Sequence, residues 1–163
     1  MVPPSQDMST SGAAQRSSGF ELSIRPSVAI IAMTREFVFT FANRILGDVD
    51  MSSRLAVTVH ELLENCLKYS TDGEATLSVE LGAGKVSMKV RNRAGEDQIT
   101  ALREALAELA EATNPSAFYT MALMRAAKRK EGSGLGLARI WAEAGMVLRG
   151  EFDGDVVALV VEA

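Results

Sequence analysis

Two short stretches of this chain hold residue types that can do chemistry together. The first is Glu61-Leu-Leu-Glu-Asn65-Cys-Leu-Lys68-Tyr69, and the second is Gly132-Ser-Gly134-Leu-Gly136-Leu137. In a helix, Glu61, Asn65 and Lys68 fall at i, i+4 and i+7 and share one stripe. Asn65 offers a neutral oxygen, which suits a hard cation such as Mg2+ that already carries phosphate ligands. Glu61 lies one turn earlier, where a carboxylate can orient or deprotonate an attacking hydroxyl or water. Lys68 would meet phosphate oxygens as a point charge. The glycines let backbone approach a ligand closely, and the helix after them offers unpaired N–H groups and its positive dipole end to a phosphate.

Each stretch alone also has a plainer reading. The first is an amphipathic helix with a solvated polar face, and the second is a tight turn that serves packing. The glycine loop does not follow a strand, which disfavours a dinucleotide fingerprint, and it lacks the Gly-Lys-Ser/Thr ending of a P-loop. His60 lies off the Glu61–Asn65 stripe and is given no role. Cys66 falls on the apolar stripe of the same helix and reads as packing, not as a nucleophile.

The elements that position these residues follow from periodicity. Residues 1–19, rich in Ser, Gly, Pro and Gln, read as a disordered tail, and 20–163 as one domain. Phe20-Glu-Leu-Ser-Ile-Arg25 alternates as a strand. Ser27 caps a helix to about Leu46 with Ile31, Val38, Phe41, Ala42 and Ile45 inward. Ser52 or Ser53 caps a second helix to about Tyr69, with Leu55, Val59, Leu62, Leu63 and Cys66 as its apolar stripe, and Thr71-Asp-Gly73 ends it. Ala75–Leu81 and Lys85–Val90 form a hairpin around Gly82-Ala-Gly84. The glycine-free segment 96–131 predicts two helices divided at Asn114-Pro115, with Phe118, Tyr119, Met121, Leu123 and Met124 packing on Leu102, Leu106 and Leu109. An adaptable, Met-rich partner surface is the other reading of that second helix. A helix from Gly134 to Ala144, capped by Gly145, and a last hairpin around Asp153-Gly154 complete the order. This predicts an α/β two-layer sandwich, a mixed and mostly antiparallel sheet with helices on one face.

Composition narrows the class. Net charge of −4 argues against bulk attraction to nucleic acid or to an anionic membrane. The apolar run Val28–Met33 is too short to span a bilayer, and no secretory signal precedes it. One cysteine and one histidine argue against a structural zinc site, and the lone cysteine suits a reducing cytoplasm.

Taken together, the two stretches resemble the GHKL superfamily of ATPases, which includes gyrase, MutL and the histidine kinases and shares the Bergerat fold. Glu61-x-x-x-Asn65 matches the N-box, Cys66-Leu-Lys68-Tyr69 resembles its continuation, and Gly132-x-Gly134-x-Gly136-Leu137 matches the second glycine box. The resemblance covers residues 20–162 and is nearest to the stand-alone anti-sigma-factor serine kinases. It implies ATP bound with Mg2+, a protein phosphoacceptor of the anti-sigma-antagonist kind, partner switching in bacterial signalling, and a homodimer, for which the apolar arc of the leading helix is available. It also implies that Asn65 holds Mg2+ and Glu61 acts as base. Ser133 and Leu135 then line the phosphate loop with the glycines, and 96–131 is a lid that brings Arg125, Lys128, Arg129 and Lys130 to the triphosphate. One box departs from the pattern. The family's Asp-x-Gly-x-Gly, whose Asp binds the adenine amino group, is here Asn92-Arg93-Ala94-Gly95-Glu96. Asn keeps an acceptor oxygen, loses the charge and gains a donor. The alternatives are therefore a module that kept the fold for protein interaction and lost turnover, and a histidine-kinase-type domain acting on a separate protein.

Overall fold

The computed structural model describes residues 17–82, 84–128 and 135–163. Alternation places Phe20, Leu22 and Ile24 on one face of β1 (Ser18–Ile24), opposite Val79, Leu77 and Ala75 of β2. The strand starts at Ser18, two residues earlier than its alternation predicts; the first sixteen residues of the expected tail lie outside the described residues.

Helix α1 (Val28–Leu46) starts where predicted: the Ser27 hydroxyl accepts the Ile30 amide at 3.3 Å. Ile31, Val38 and Ala42 are buried, and Phe20 meets Phe37 and Phe41 edge-on, each at 4.9 Å, which pins α1 to β1. Ile45 departs from the expectation. It is 40% exposed, and Leu46 takes the inward place one residue on.

Helix α2 (Val49–Tyr69) begins a turn earlier than expected, and its cap is Asp48, which accepts the Met51 amide at 3.0 Å. Ser52 and Ser53 instead fold their hydroxyls back onto the carbonyls of Asp48 and Val49. The apolar stripe is buried as predicted. The helix stops at Tyr69, and Thr71-Asp-Gly73 forms an irregularity inside β2 (Ser70–Gly82), not a loop before it. Asp72 holds that kink by accepting the Glu74 amide and the Ser70 hydroxyl, which keep its carboxyl below the usual range.

The chain continues through β3 (Lys85–Ala94), α3 (Glu96–Glu111), α4 (Pro115–Lys128), α5 (Leu135–Ala142), β4 (Val147–Asp153) and β5 (Val156–Glu162). The sheet order is β1-β2-β3-β5-β4 and every neighbouring pair is antiparallel, so the expected mixed sheet is antiparallel throughout. The reason is topological. Two helices between β1 and β2 return the chain in the opposite sense. The three helices after β3 leave β4 parallel to β3 in direction, but β5 is inserted between them. The helices cover one face. On the other, Lys89, Glu151 and Arg149 form a linked row beside the buried Val160 and Ala158.

Helix α4 has no buried residue. Its apolar side chains are spread around the helix, so no single face can be covered. It packs mainly on α5, with Phe118 edge-on to Trp141 at 5.8 Å, and not on the Leu102–Leu109 face of α3 as expected. Met121, Leu123 and Met124 are exposed. Among the described residues, no helix is long and apolar enough to cross a membrane.

Arg54 anchors the end of α5. Its Nε donates to the Ala144 carbonyl and its Nη2 to the Gly145 carbonyl at 3.1 Å, at the negative end of the helix dipole. Gly145 is the predicted stop, with φ of 59°. Arg54→Met should cost about 2 kcal/mol, the value of charged hydrogen bonds to otherwise unpaired carbonyls. In urea the midpoint should fall while the slope stays constant.

Candidate functional site

A cavity of about 520 Å³ opens between α2, the sheet and the α3–α4 segment. Val90, Val157 and Leu159 form its sheet wall, and Leu62, Asn65, Cys66 and Tyr69 its α2 wall. Leu102 and Ala105 of α3, Phe118 and Ala122 of α4, and Leu137 of α5 supply most of the remaining apolar surface. The segment expected as a lid thus walls one side of the cavity.

The two chemistry-bearing stretches meet here. A β-carbon at Gly136 would lie 2.8 Å from Glu61 Oε2 and 3.8 Å from Asn65 Nδ2, so α5 starts against the polar stripe of α2 and a side chain at 136 would displace the Glu61 carboxylate. Leu135, Gly136 and Leu137 form the first turn of α5. Gly132, Ser133, Gly134, Arg129 and Lys130 lie outside the described residues.

Asn65 lines the cavity, and its carboxamide makes no hydrogen bond to any described residue. Glu61 is 8% exposed, and its Oε1 accepts from Arg139 Nη1 at 2.8 Å. Arg139 also donates from Nε to Glu143 at 2.7 Å. Tyr119 of α4 lies close enough to Glu143 for the two groups to influence each other's protonation. The Arg139 guanidinium holds the Glu143 carboxyl below the usual range, whereas burial and then the Glu143 carboxylate push the Tyr119 hydroxyl up. Sequence reasoning missed Arg139. Its signal was its place three residues after Gly136, where a helix turns it back toward α2.

Lys68 is not brought to the cavity. Lys68 stays near the stripe, but its side chain turns outward to Glu64 at 3.0 Å, where it lowers the Glu64 carboxyl. His60 also sits beside Glu64, at 3.4 Å. Arg125 lines the cavity but is paired with Glu108 at 2.7 Å, and Lys128 is exposed.

Asn92 and Ala94 both line the cavity. Asn92 Nδ2 donates to the Arg93 carbonyl at 3.0 Å, and Asn92 Oδ1 accepts from the Cys66 thiol at 3.5 Å. Burial pushes that thiol up to about 12, so it remains a protonated donor at neutral pH. One of the two amide hydrogens that Asn adds relative to Asp is therefore held by backbone, and the oxygen keeps one lone pair beyond its bond from Cys66.

The fold is thus an α+β sandwich of the ATPase-like kind, with a five-stranded antiparallel sheet and five helices among the described residues. Among solved structures, it is similar to a chain in the crystal structure of the SiaB-SiaC complex from Pseudomonas aeruginosa, with a TM-score of 0.68, 15% sequence identity and 88% of each chain covered. No family model and no curated protein matches the chain.

Proposed function

We propose that this protein is an ATP-dependent protein kinase of the anti-sigma serine-kinase type that works by partner switching. The observation that carries the reading is the packing of Gly136 against Glu61 and Asn65 beside an apolar cavity that Asn65 and Asn92 line. Apolar walls with a few polar groups suit a nucleoside. Asn65 would hold Mg2+, which when bound neutralises phosphate charge. Glu61 would take the proton of the attacking hydroxyl. The solved structure similar to this chain is of a complex, which supports a protein partner here. Val28, Met33 and Phe37, exposed on α1, are available for a homodimer contact.

Asn92 sets the base preference in this reading. Its exposed acceptor pairs with the amino group of adenine and opposes the O6 acceptor of guanine. Calorimetry should show MgATP and MgADP binding, with MgGTP weaker by about tenfold or more. Asn92→Asp should not tighten ATP, because a second acceptor would then face the Arg93 carbonyl. We expect affinity to fall about fivefold, the scale of one lost hydrogen bond. Equal or tighter GTP binding would overturn the assignment. Absence of any nucleotide binding at millimolar ligand would favour a second reading, an interaction module without turnover, which the exposed Met121, Leu123 and Met124 support. An acid-labile phosphoprotein product would point to histidine as acceptor, and an acid-stable one to serine.

A further inference from the structure

We infer that Arg139 is a positioning residue for Glu61, and that the packing of Phe118 on Trp141 ties this function to helix α4. The inference rests on reading Glu61 as the general base. The Glu61 carboxylate is nearly buried, and among the described residues Arg139 is its only ion-pair partner. That contact engages Oε1. Oε2 is the oxygen turned toward Gly136, at the start of α5. A carboxylate fixed through one oxygen presents the other in a single orientation, the arrangement in which a third group orients a base.

Plain stabilisation explains this contact poorly. The Arg139 side chain is 43% exposed, and partly exposed ion pairs contribute little. What the chain of contacts does is set geometry. Arg139 donates to Glu143 and to Glu61, which links the end of α5 to α2. Phe118 of α4 packs on Trp141 of the same helix α5. Displacement of α4 would therefore reach the base through Arg139. Arg139, like Glu61, lies outside the apolar lining of the cavity, so its removal leaves the nucleoside walls intact.

The test uses MgATP hydrolysis, with water as acceptor. The water oxygen bonds to the γ-phosphorus, the bond from that phosphorus to the β–γ bridging oxygen breaks, ADP leaves, and one water proton passes to Glu61 Oε2. Arg139→Met should lower kcat about ten- to a hundredfold, the scale of a misplaced catalytic group, with KM for MgATP unchanged. Arg139→Lys should restore part of kcat, because one ammonium can reach Glu61 but cannot fork to Glu143 as well. Phe118→Ala, which removes the contact of α4 with Trp141, should lower kcat about two- to fivefold. An Arg139→Met enzyme with parental kcat, or one whose KM rises in step with the loss of kcat, overturns the positioning role and leaves the kinase reading intact. A parent protein that neither binds nor hydrolyses MgATP overturns both.

Discussion

Glu61→Gln should reduce turnover of MgATP about a hundredfold or more, the range for loss of a general base, while nucleotide affinity stays within about twofold. The surroundings make this a clean substitution. Gln has the size of Glu, and its oxygen can keep the bond from Arg139 Nη1 that Oε1 now accepts. That choice directs the amide nitrogen toward Gly136, to the place of Oε2. An amide nitrogen there cannot accept a proton. Arg139 retains Glu143 as its counter-charge, so the unfolding midpoint should move little. Single-turnover kinetics beside calorimetry separate the effects. Full turnover in Glu61→Gln would place the base elsewhere.

Asn65→Ala should have the second-largest effect, a loss of about 3 kcal/mol in MgATP binding, or about a hundredfold in Kd. The expectation follows from what Asn65 does not do. Asn65 lines the cavity and its carboxamide makes no hydrogen bond to a described residue, so alanine breaks none. The loss should depend on metal. With EDTA present, parent and variant should bind ATP equally weakly, because only the cation's ligand has been removed. Equal weakening with and without Mg2+ would assign Asn65 to the nucleotide and not to the metal.

How much of this was legible in the sequence differs element by element. The Glu61–Asn65 stripe was, since spacing in a helix places side chains without further information. So were the caps at Ser27 and Gly145 and the inward stripe of α2. The cap of α2 was not, because Asp48, Ser52 and Ser53 all suit a helix start and only the register of the first turn selects among them. Lys68 fell on the predicted stripe, but a solvent-facing partner at Glu64 decides its direction. The contacts of α4 were illegible for a related reason. An apolar set spread around a helix does not say which neighbour it meets, and α5 rather than α3 supplies the main one.

By itself the sequence determined the elements, the two-layer class and the pairing of a carboxylate–carboxamide helix with a glycine turn, because these depend on local periodicity and on residue chemistry. Only the tertiary structure decided that Gly136 rests on Glu61, that Arg139 grips the same carboxylate from α5, and that the Asn92 oxygen meets the Cys66 thiol of α2. The physical reason is the same in each case. These relations join residues far apart in the chain through contacts of a few ångströms, and such contacts depend on how helices and strands stack, which no local pattern encodes.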